Sequence, residues 1–432
     1  MLRALLLLAL AAPASSQPPA SFKASTAASV SEQAAGRPIA LEEAYSLALK
    51  RSEELAQRAG SVAEAWARVD EMWSAVKPAF TLRGTEFAQD TSVSGGVVSN
   101  SPRRDRPEAK LMLHQPLFSG LRDYLSVRVA RSAGRSAELD LRRAEDLLYS
   151  DVAVAFLDQL GMDKEIAVRR SIVAITADRV RELRERERIG RTRRSEVLAA
   201  ESQLAQNEAD LKQALRRERD VQLKLRFLTG LEEELAPLEV PLKDALGLPD
   251  YLARARGRSD VEARRLDAGA ARESTTIVRR ARWPLISFDG NYYLKRIGTL
   301  SDARWDLLVT GDLPLYQGGK IGAQVRQAEA RALRSDEVLG LALRKAELET
   351  RTAYEELETD LAAVSALEKA AELAEANAKA QAEDYRLGVV TNLDVLGALN
   401  ALQQVRLRLD GARLDTRLAR IQLDVASGGV PR

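Results

Sequence analysis

Tyr385-Arg386-Leu387-Gly388, followed by Asn392-Leu393-Asp394-Val395-Leu396, reads as the end of one helix, a glycine turn and the start of the next. The same phrase stands 198 residues upstream, where Arg188-Ile189-Gly190 and Glu196-Val197-Leu198 occupy the equivalent positions. Between residues 184 and 211, nine of 28 positions are identical to their partners at that offset. Gln115-Pro116-Leu117-Phe118-Ser119-Gly120 resembles Leu313-Pro314-Leu315-Tyr316-Gln317-Gly318 at the same offset. Pro116 to Gly190 and Pro314 to Gly388 are both 74 residues, so the segments between have equal length. A constant offset marked by proline and glycine identifies a tandem duplication.

Each half runs through the same order of elements. Residues 40–77 and 249–283 are rich in Ala, Arg and Glu, lack an internal proline and read as helices that end at Pro78 and Pro284. The period then changes. Ile286, Phe288, Tyr292 and Leu294 alternate, as do Trp305, Leu307 and Val309 on the return, which predicts a hairpin over 285–315. Phe80, Leu82, Leu111 and Leu113 give a weaker version over 79–117, around a loop holding Gly95, Gly96, Asn100 and Pro102. Beyond each hairpin a helix of about 70 residues is expected, 119–188 and 317–386, each about 105 Å long at 1.5 Å per residue. Val197, Leu204 and Leu211, and Val395, Leu402 and Leu409, recur every seven residues after the glycine turns, the spacing of a coiled-coil seam.

Bulk properties narrow the function. The 432 residues are 45% hydrophobic and 30% charged, with a formal net charge of +2 and the two signs interspersed, so no clustered basic face for nucleic acid is expected. No cysteine and a single histidine exclude thiol chemistry, disulfides and Cys- or multi-His zinc sites, and no cofactor or metal is expected. Met1-Leu2-Arg3, the apolar run Leu5 to Ala12, and small residues at Ala14, Ser15 and Ser16 read as a signal peptide over 1–16. No later stretch reaches the roughly 18 apolar residues of a membrane-spanning helix, which leaves a secreted, periplasmic or strand-inserted protein.

Two hairpins supply four strands of about ten residues, the length of a tilted strand crossing a bilayer. An open sheet edge in lipid strands unpaired backbone groups, and membrane barrels begin at about eight strands. Several chains must therefore contribute, giving eight, twelve or sixteen strands for a dimer, trimer or tetramer.

The duplicated order of helix, hairpin, long helix and helix, with Ile189-Gly190-Arg191 and Leu387-Gly388-Val389 at the turns, resembles the TolC family of outer-membrane factors over the chain from about residue 40. The resemblance implies a mainly α fold with a small β part. Long coiled-coil helices would form an α-helical barrel in the periplasm, and four strands per chain would join a transmembrane β-barrel shared by a homotrimer in the outer membrane of a Gram-negative bacterium. It implies a passive conduit of a tripartite efflux or type I secretion system, docked through its turns to a periplasmic adaptor and an inner-membrane pump. The expected domains are an extension or linker 17–39, a first repeat 40–227, an equatorial linker 228–248, a second repeat 249–427 and a tail 428–432.

In that family the closed tunnel end is narrowed by aspartate rings and held by links between coils. Asp394 matches one ring position, while Gly397 stands where a second would fall. Tyr385 and Glu196 match the aromatic and acidic partners of one link. The basic partner expected two residues after Gly388 is Val390, with Arg193 and Arg194 as candidate substitutes. His114 has no second ligand in view and reads as structural or solvent-facing. Gly318-Gly319-Lys320 lacks the rest of a phosphate loop and reads as a strand-to-helix turn. The competing reading is a periplasmic coiled-coil adaptor or scaffold without a pore, which would carry one helical hairpin and a larger β-rich remainder rather than two equal repeats.

Overall fold

A computed structural model describes residues 36–88, 105–297 and 302–430. The leader, most of the extension, and the loop residues Gly95, Gly96, Asn100 and Pro102 lie outside them. The order is β1 (Arg37–Ile39), α1 (Leu41–Arg51), α2 (Glu53–Ser74), β2 (Ala79–Ala88), β3 (Asp105–Phe118), α3 (Arg122–Arg188) and α4 (Arg194–Thr229). It continues with β4 (Leu235–Pro237), α5 (Leu248–Ala255), α6 (Ser259–Arg279), β5 (Leu285–Lys295), β6 (Trp305–Asp312), α7 (Lys320–Arg386) and α8 (Asn392–Ser427). The second repeat copies the first: α3 and α7 are both 67 residues and α4 and α8 both 36, so the long helices run about 100 Å.

Two expectations need correction. The single helices expected over 40–77 and 249–283 are each two. The first breaks at Ser52, which leaves the helical region and whose Oγ accepts from the Leu55 N–H at 3.2 Å, capping α2. The second breaks at Arg256–Arg258, with Arg258 as the extended residue ahead of α6. Both breaks lie 26 residues before the prolines, at Ser52 before Pro78 and Arg258 before Pro284, so they are the same feature in the two repeats. Residues 37–39, expected in an extension, form β1 and pair in parallel with β4 inside the expected linker 228–248.

Helices pack side by side: α2, α3, α6 and α7 towards the sheet, and α4, α3, α8 and α7 towards the glycine turns. The main core sits where these layers meet. Tyr149, Val152 and Phe156 of α3 pack there with Leu225 of α4, Ile421 and Val425 of α8, and Ile39 and Ala44. Elsewhere α7 buries small residues, Ala328, Ala332, Ala346 and Ala353, letting neighbouring backbones approach. The seven-residue seams are interior as expected, with Val197, Val395, Leu402 and Leu409 buried and Leu204 packed against the first of them. Among the described residues no helix is long and apolar enough to cross a membrane.

The strands form one antiparallel sheet in the order β2-β3-β5-β6. Pro116 lies beyond the end of β2, whose first residue Ala79 pairs with His114, and Pro107 lies beyond the last β5 partner at Ala109. Among the described residues each proline thus sits where β3 has a neighbour on one side only, so its missing N–H is tolerated. Gly318 and Gly319 adopt φ of 60° and 82° before α7, the expected turn, while the first repeat places Leu121 at 61° where its copy has Gly319.

Candidate functional site

Cross-strand register decides what each face of the sheet presents, because paired residues project to the same side. One row is Phe80, Leu113, Gly290 and Leu307, and the next is Leu82, Leu111, Tyr292 and Trp305. Most of these large side chains are bare, Trp305 at 65% and Leu82 at 69% exposure. The opposite face is mainly polar, with Leu308 and Met112 among its polar side chains. His114 Nδ1 lies 2.6 Å from Asp289 Oδ1 across β3 and β5. Asn291 Nδ2 and the Tyr293 hydroxyl donate to Asp306 at 2.7 and 2.8 Å, and Lys110 pairs with Glu108 at 3.0 Å. His114 is thus tied by a hydrogen bond across the sheet while about half of its side chain stays exposed, which fits the structural or solvent-facing reading. A sheet apolar on one side and ion-paired on the other separates lipid from water. Among the described residues both of its outer strands, β2 and β6, carry an unpaired edge.

The other end of the molecule is built by two glycine turns of the same geometry. Gly190 (φ 71°) donates its N–H to Glu187 O at 2.9 Å, and Arg191 N–H reaches Arg186 O at 2.8 Å. Gly388 (φ 77°) repeats this with Tyr385 O at 3.1 Å, and Val389 N–H with Asp384 O at 2.9 Å. This is the Schellman closure, which needs a left-handed residue at the turn. Ile189, Gly190, Arg191, Leu387, Gly388 and Val389 are all exposed, Leu387 and Val389 at 71% and 72%. The turn thus holds two large apolar side chains bare at the helical tip.

Behind the tip, Tyr385 reaches from α7 to α3. Its hydroxyl accepts from Arg186 Nη1 at 2.9 Å, and the Arg179 guanidinium lies 4.2 Å over its ring. Glu182 joins the two arginines, 2.6 Å from Arg179 and 2.6 Å from Arg186. Among the described residues no hydrogen bond joins Glu196 to Tyr385; Glu196 accepts instead from Thr192 Oγ1 at 2.8 Å, early in α4. Among the described residues neither Arg193 nor Arg194 engages Tyr385, and the arginines on the tyrosine come from α3. The spacing of Arg179, Glu182 and Arg186 sets all three on one helix face, but nothing local reveals that Tyr385 lies opposite.

Asp394 is exposed and closes a capping box. Its Oδ2 accepts from the Thr391 N–H at 2.8 Å and the Thr391 hydroxyl at 2.6 Å, while Thr391 Oγ1 accepts from the Asp394 N–H at 3.4 Å. The bonds from Thr391 hold its carboxyl below the usual carboxylate range. It therefore carries its charge at neutral pH and loses it, with the cap, only as the pH falls below that range.

A family profile described as outer membrane efflux protein matches residues 44–231 and 251–429, one block per repeat. The chain is 24% identical over 350 residues to outer membrane efflux protein BepC of Brucella suis, covering 78% of this chain and 75% of that protein. It is 23% identical over 319 residues to outer membrane protein TolC of Vibrio cholerae, covering 71% and 73%. Its fold is similar to the crystal structure of the outer membrane protein VceC from Vibrio cholerae, with a TM-score of 0.78 and 19% identity over 90% of this chain and 96% of that one. A membrane protein from Pseudomonas aeruginosa superposes with a TM-score of 0.81 at 20% identity, covering 90% of each chain.

Proposed function

This chain belongs to the outer membrane efflux protein family, an outer-membrane channel of the tripartite efflux kind with a periplasmic helical domain, and on that premise we propose that three copies close one conduit. Its relatives are efflux channels rather than enzymes. The observation that carries the assembly is the four-stranded sheet with a lipid-compatible face, a polar face and two free edges. A free edge cannot be left in hydrocarbon. Strand β6 of one copy pairs with β2 of the next, three copies supply twelve strands, and the polar face lines the lumen. The bare Leu387 and Val389 support docking of a periplasmic adaptor at the tip, which links the channel to an inner-membrane pump. Purified protein in detergent is expected to have the mass of three chains and to give discrete conductance steps in planar bilayers. A stable folded monomer, with no larger species in lipid, overturns the assembly.

Tyr385 and Asp394 are the proposed closing elements of the tip. The clasp of Arg179, Arg186 and Glu182 around Tyr385 ties the α3/α4 pair to the α7/α8 pair, and Asp394 places one carboxylate per subunit on the returning helix. A hydrogen bond to a charged donor and stacked arginines at a partly exposed site together contribute about 1–3 kcal/mol per copy. Tyr385→Ala should therefore raise the open fraction in bilayer recordings by about tenfold or more, with Tyr385→Phe between it and wild type. Asp394→Asn, which keeps an oxygen for the cap, should lower cation selectivity and weaken block by divalent cations, more so at low salt, where screening reaches about 30 Å at 0.01 M. Unchanged gating in Tyr385→Ala would reduce the clasp to packing, and unchanged selectivity in Asp394→Asn would leave that carboxylate as a helix cap only.

A further inference from the structure

The two turns at the tip have one backbone and two chemistries. Arg191, Arg193 and Arg194 of the first turn correspond, at the 198-residue offset, to Val389, Thr391 and Asn392 of the second. Since both turns close with the same hydrogen bonds and the same positive φ at glycine, the arginines are not there to make the turn. Over 186–198 the charged residues are Arg186, Arg188, Arg191, Arg193 and Arg194 against Glu187 and Glu196, a net of +3. Over 384–396 they are Arg386 against Asp384 and Asp394, a net of −1. Arg186 is engaged by Tyr385 and Glu182, and Arg188 by Glu185 at 3.3 Å. Arg191, Arg193 and Arg194 are exposed, and among the described residues none has a carboxylate within ion-pair distance. Ile189 is bare beside them at 58%.

We propose that the duplicated tips have divided docking between them. The first turn, through Arg191, Arg193 and Arg194, receives a carboxylate-bearing segment of a periplasmic protein partner, while the second offers the apolar seat of Leu387, Val389 and Leu393. This rests on the reading that the tip is a docking surface. The partner's contact segment is acidic and flanked by apolar residues, because a cationic cluster beside bare Ile189 is matched by that combination. Exposed ion pairs act mainly on encounter rate and orientation and are screened by salt, so the effect of the arginines is graded with charge and not with shape.

The test is photo-crosslinking in intact cells from a benzoylphenylalanine placed at Ile189 of the full chain, with the adduct mapped by mass spectrometry. Three backgrounds replace all of Arg191, Arg193 and Arg194 with Lys, Gln or Glu, and each is also recorded in planar bilayers. The expected result is an adduct on an acidic stretch of a periplasmic protein. Its yield should be near wild type with Lys, fall at least threefold with Gln and at least tenfold with Glu, and export should follow the same order. Conductance steps should persist in every background. Equal yield and export in the Lys, Gln and Glu backgrounds overturn the proposal while leaving the channel reading intact, since conductance reports that separately. Crosslinks to lipid, or binding of the purified full-length channel to phosphatidylglycerol vesicles that the Glu variant abolishes, overturn it in favour of a membrane surface. The graded Gln variant keeps the test decisive if charge reversal impairs folding.

Discussion

Valine at both Gly190 and Gly388 is expected to cut export to less than about a tenth of wild type while the protein still reaches the outer membrane and conducts. Both glycines sit at φ above 70°, and nothing lies within 4 Å of a Cβ built on either. The penalty is therefore one of backbone conformation and not of collision. An L side chain in the left-handed region costs roughly 1–2 kcal/mol, and a β-branched one more. A trimer would carry that strain in six turns. The chain relieves it by leaving the left-handed region, which breaks the bonds from Arg191 to Arg186 and from Val389 to Asp384 and moves Ile189, Leu387 and Val389 away from the positions proposed for docking. The sheet lies at the far end of helices about 100 Å long, so insertion is insulated from the change. Asparagine, which visits the left-handed region more readily, should restore most export at both positions. Dye efflux from cells, outer-membrane fractionation and single-channel recording measure the three quantities; normal efflux from the double valine variant would show that the turns have no part in docking.

Arg258→Ala should produce the largest loss of stability. The side chain is 2% exposed, its Nε and Nη2 fork onto Asp260 at 2.7 and 2.9 Å, and its Nη1 donates to Glu349 at 2.7 Å and the Ala426 carbonyl at 2.9 Å. One residue thus joins the break before α6 to α7 and to the carbonyl end of α8, where Arg143 Nη1 also donates to Val425 O at 2.7 Å. Breaking a fully buried pair costs about 3–5 kcal/mol. Because Asp260 and Glu349 keep 28% and 35% exposure, roughly 2–3 kcal/mol is expected, seen as a thermal transition several degrees lower and new proteolysis near residues 256–258. Arg258→Lys should fall between, since an ammonium cannot fork. Burial works to raise the Asp260 carboxyl, and the Arg258 bonds override it, leaving it below the usual range. A depressed carboxylate stabilises the fold above its unfolded-state pKa and loses that contribution as the pH falls through its folded value. The wild type should therefore lose more stability on acidification below about pH 4 than Arg258→Ala does. Equal transitions in the two proteins, at neutral and acid pH, would remove Arg258 from this role.

Much of the architecture is written locally. Gly190 and Gly388, with Pro78, Pro116, Pro284 and Pro314, mark backbone conformations that other residues adopt only at a penalty, so the boundaries and the duplication are readable from one chain. The strands are legible because a sheet between lipid and water demands alternation, and the seams at Val197, Leu204 and Val395, Leu402 because helices packing side by side demand a repeat of seven. The break at Ser52 had a signal in Ser52-Glu53-Glu54, a cap residue followed by acids, which the continuous Ala-rich pattern around it obscures.

Tertiary structure alone decided the rest. Periodicity says which face of an element is buried and is silent about which other face it meets, because that depends on how distant segments are brought together. Hence β1 could not be matched to β4, nor Tyr385 to Arg179 and Arg186, and Arg258 looked like one charge among many until α7 and α8 were placed around it. Glu196 and Asp394 show the converse. Equivalent in the sequence, they differ in space: one accepts from Thr192 and the other closes a box with Thr391, because each carboxylate takes the donors its own helix start presents. Backbone geometry and solvent-facing pattern are properties of a segment and can be read from it; a partner is a property of the folded chain.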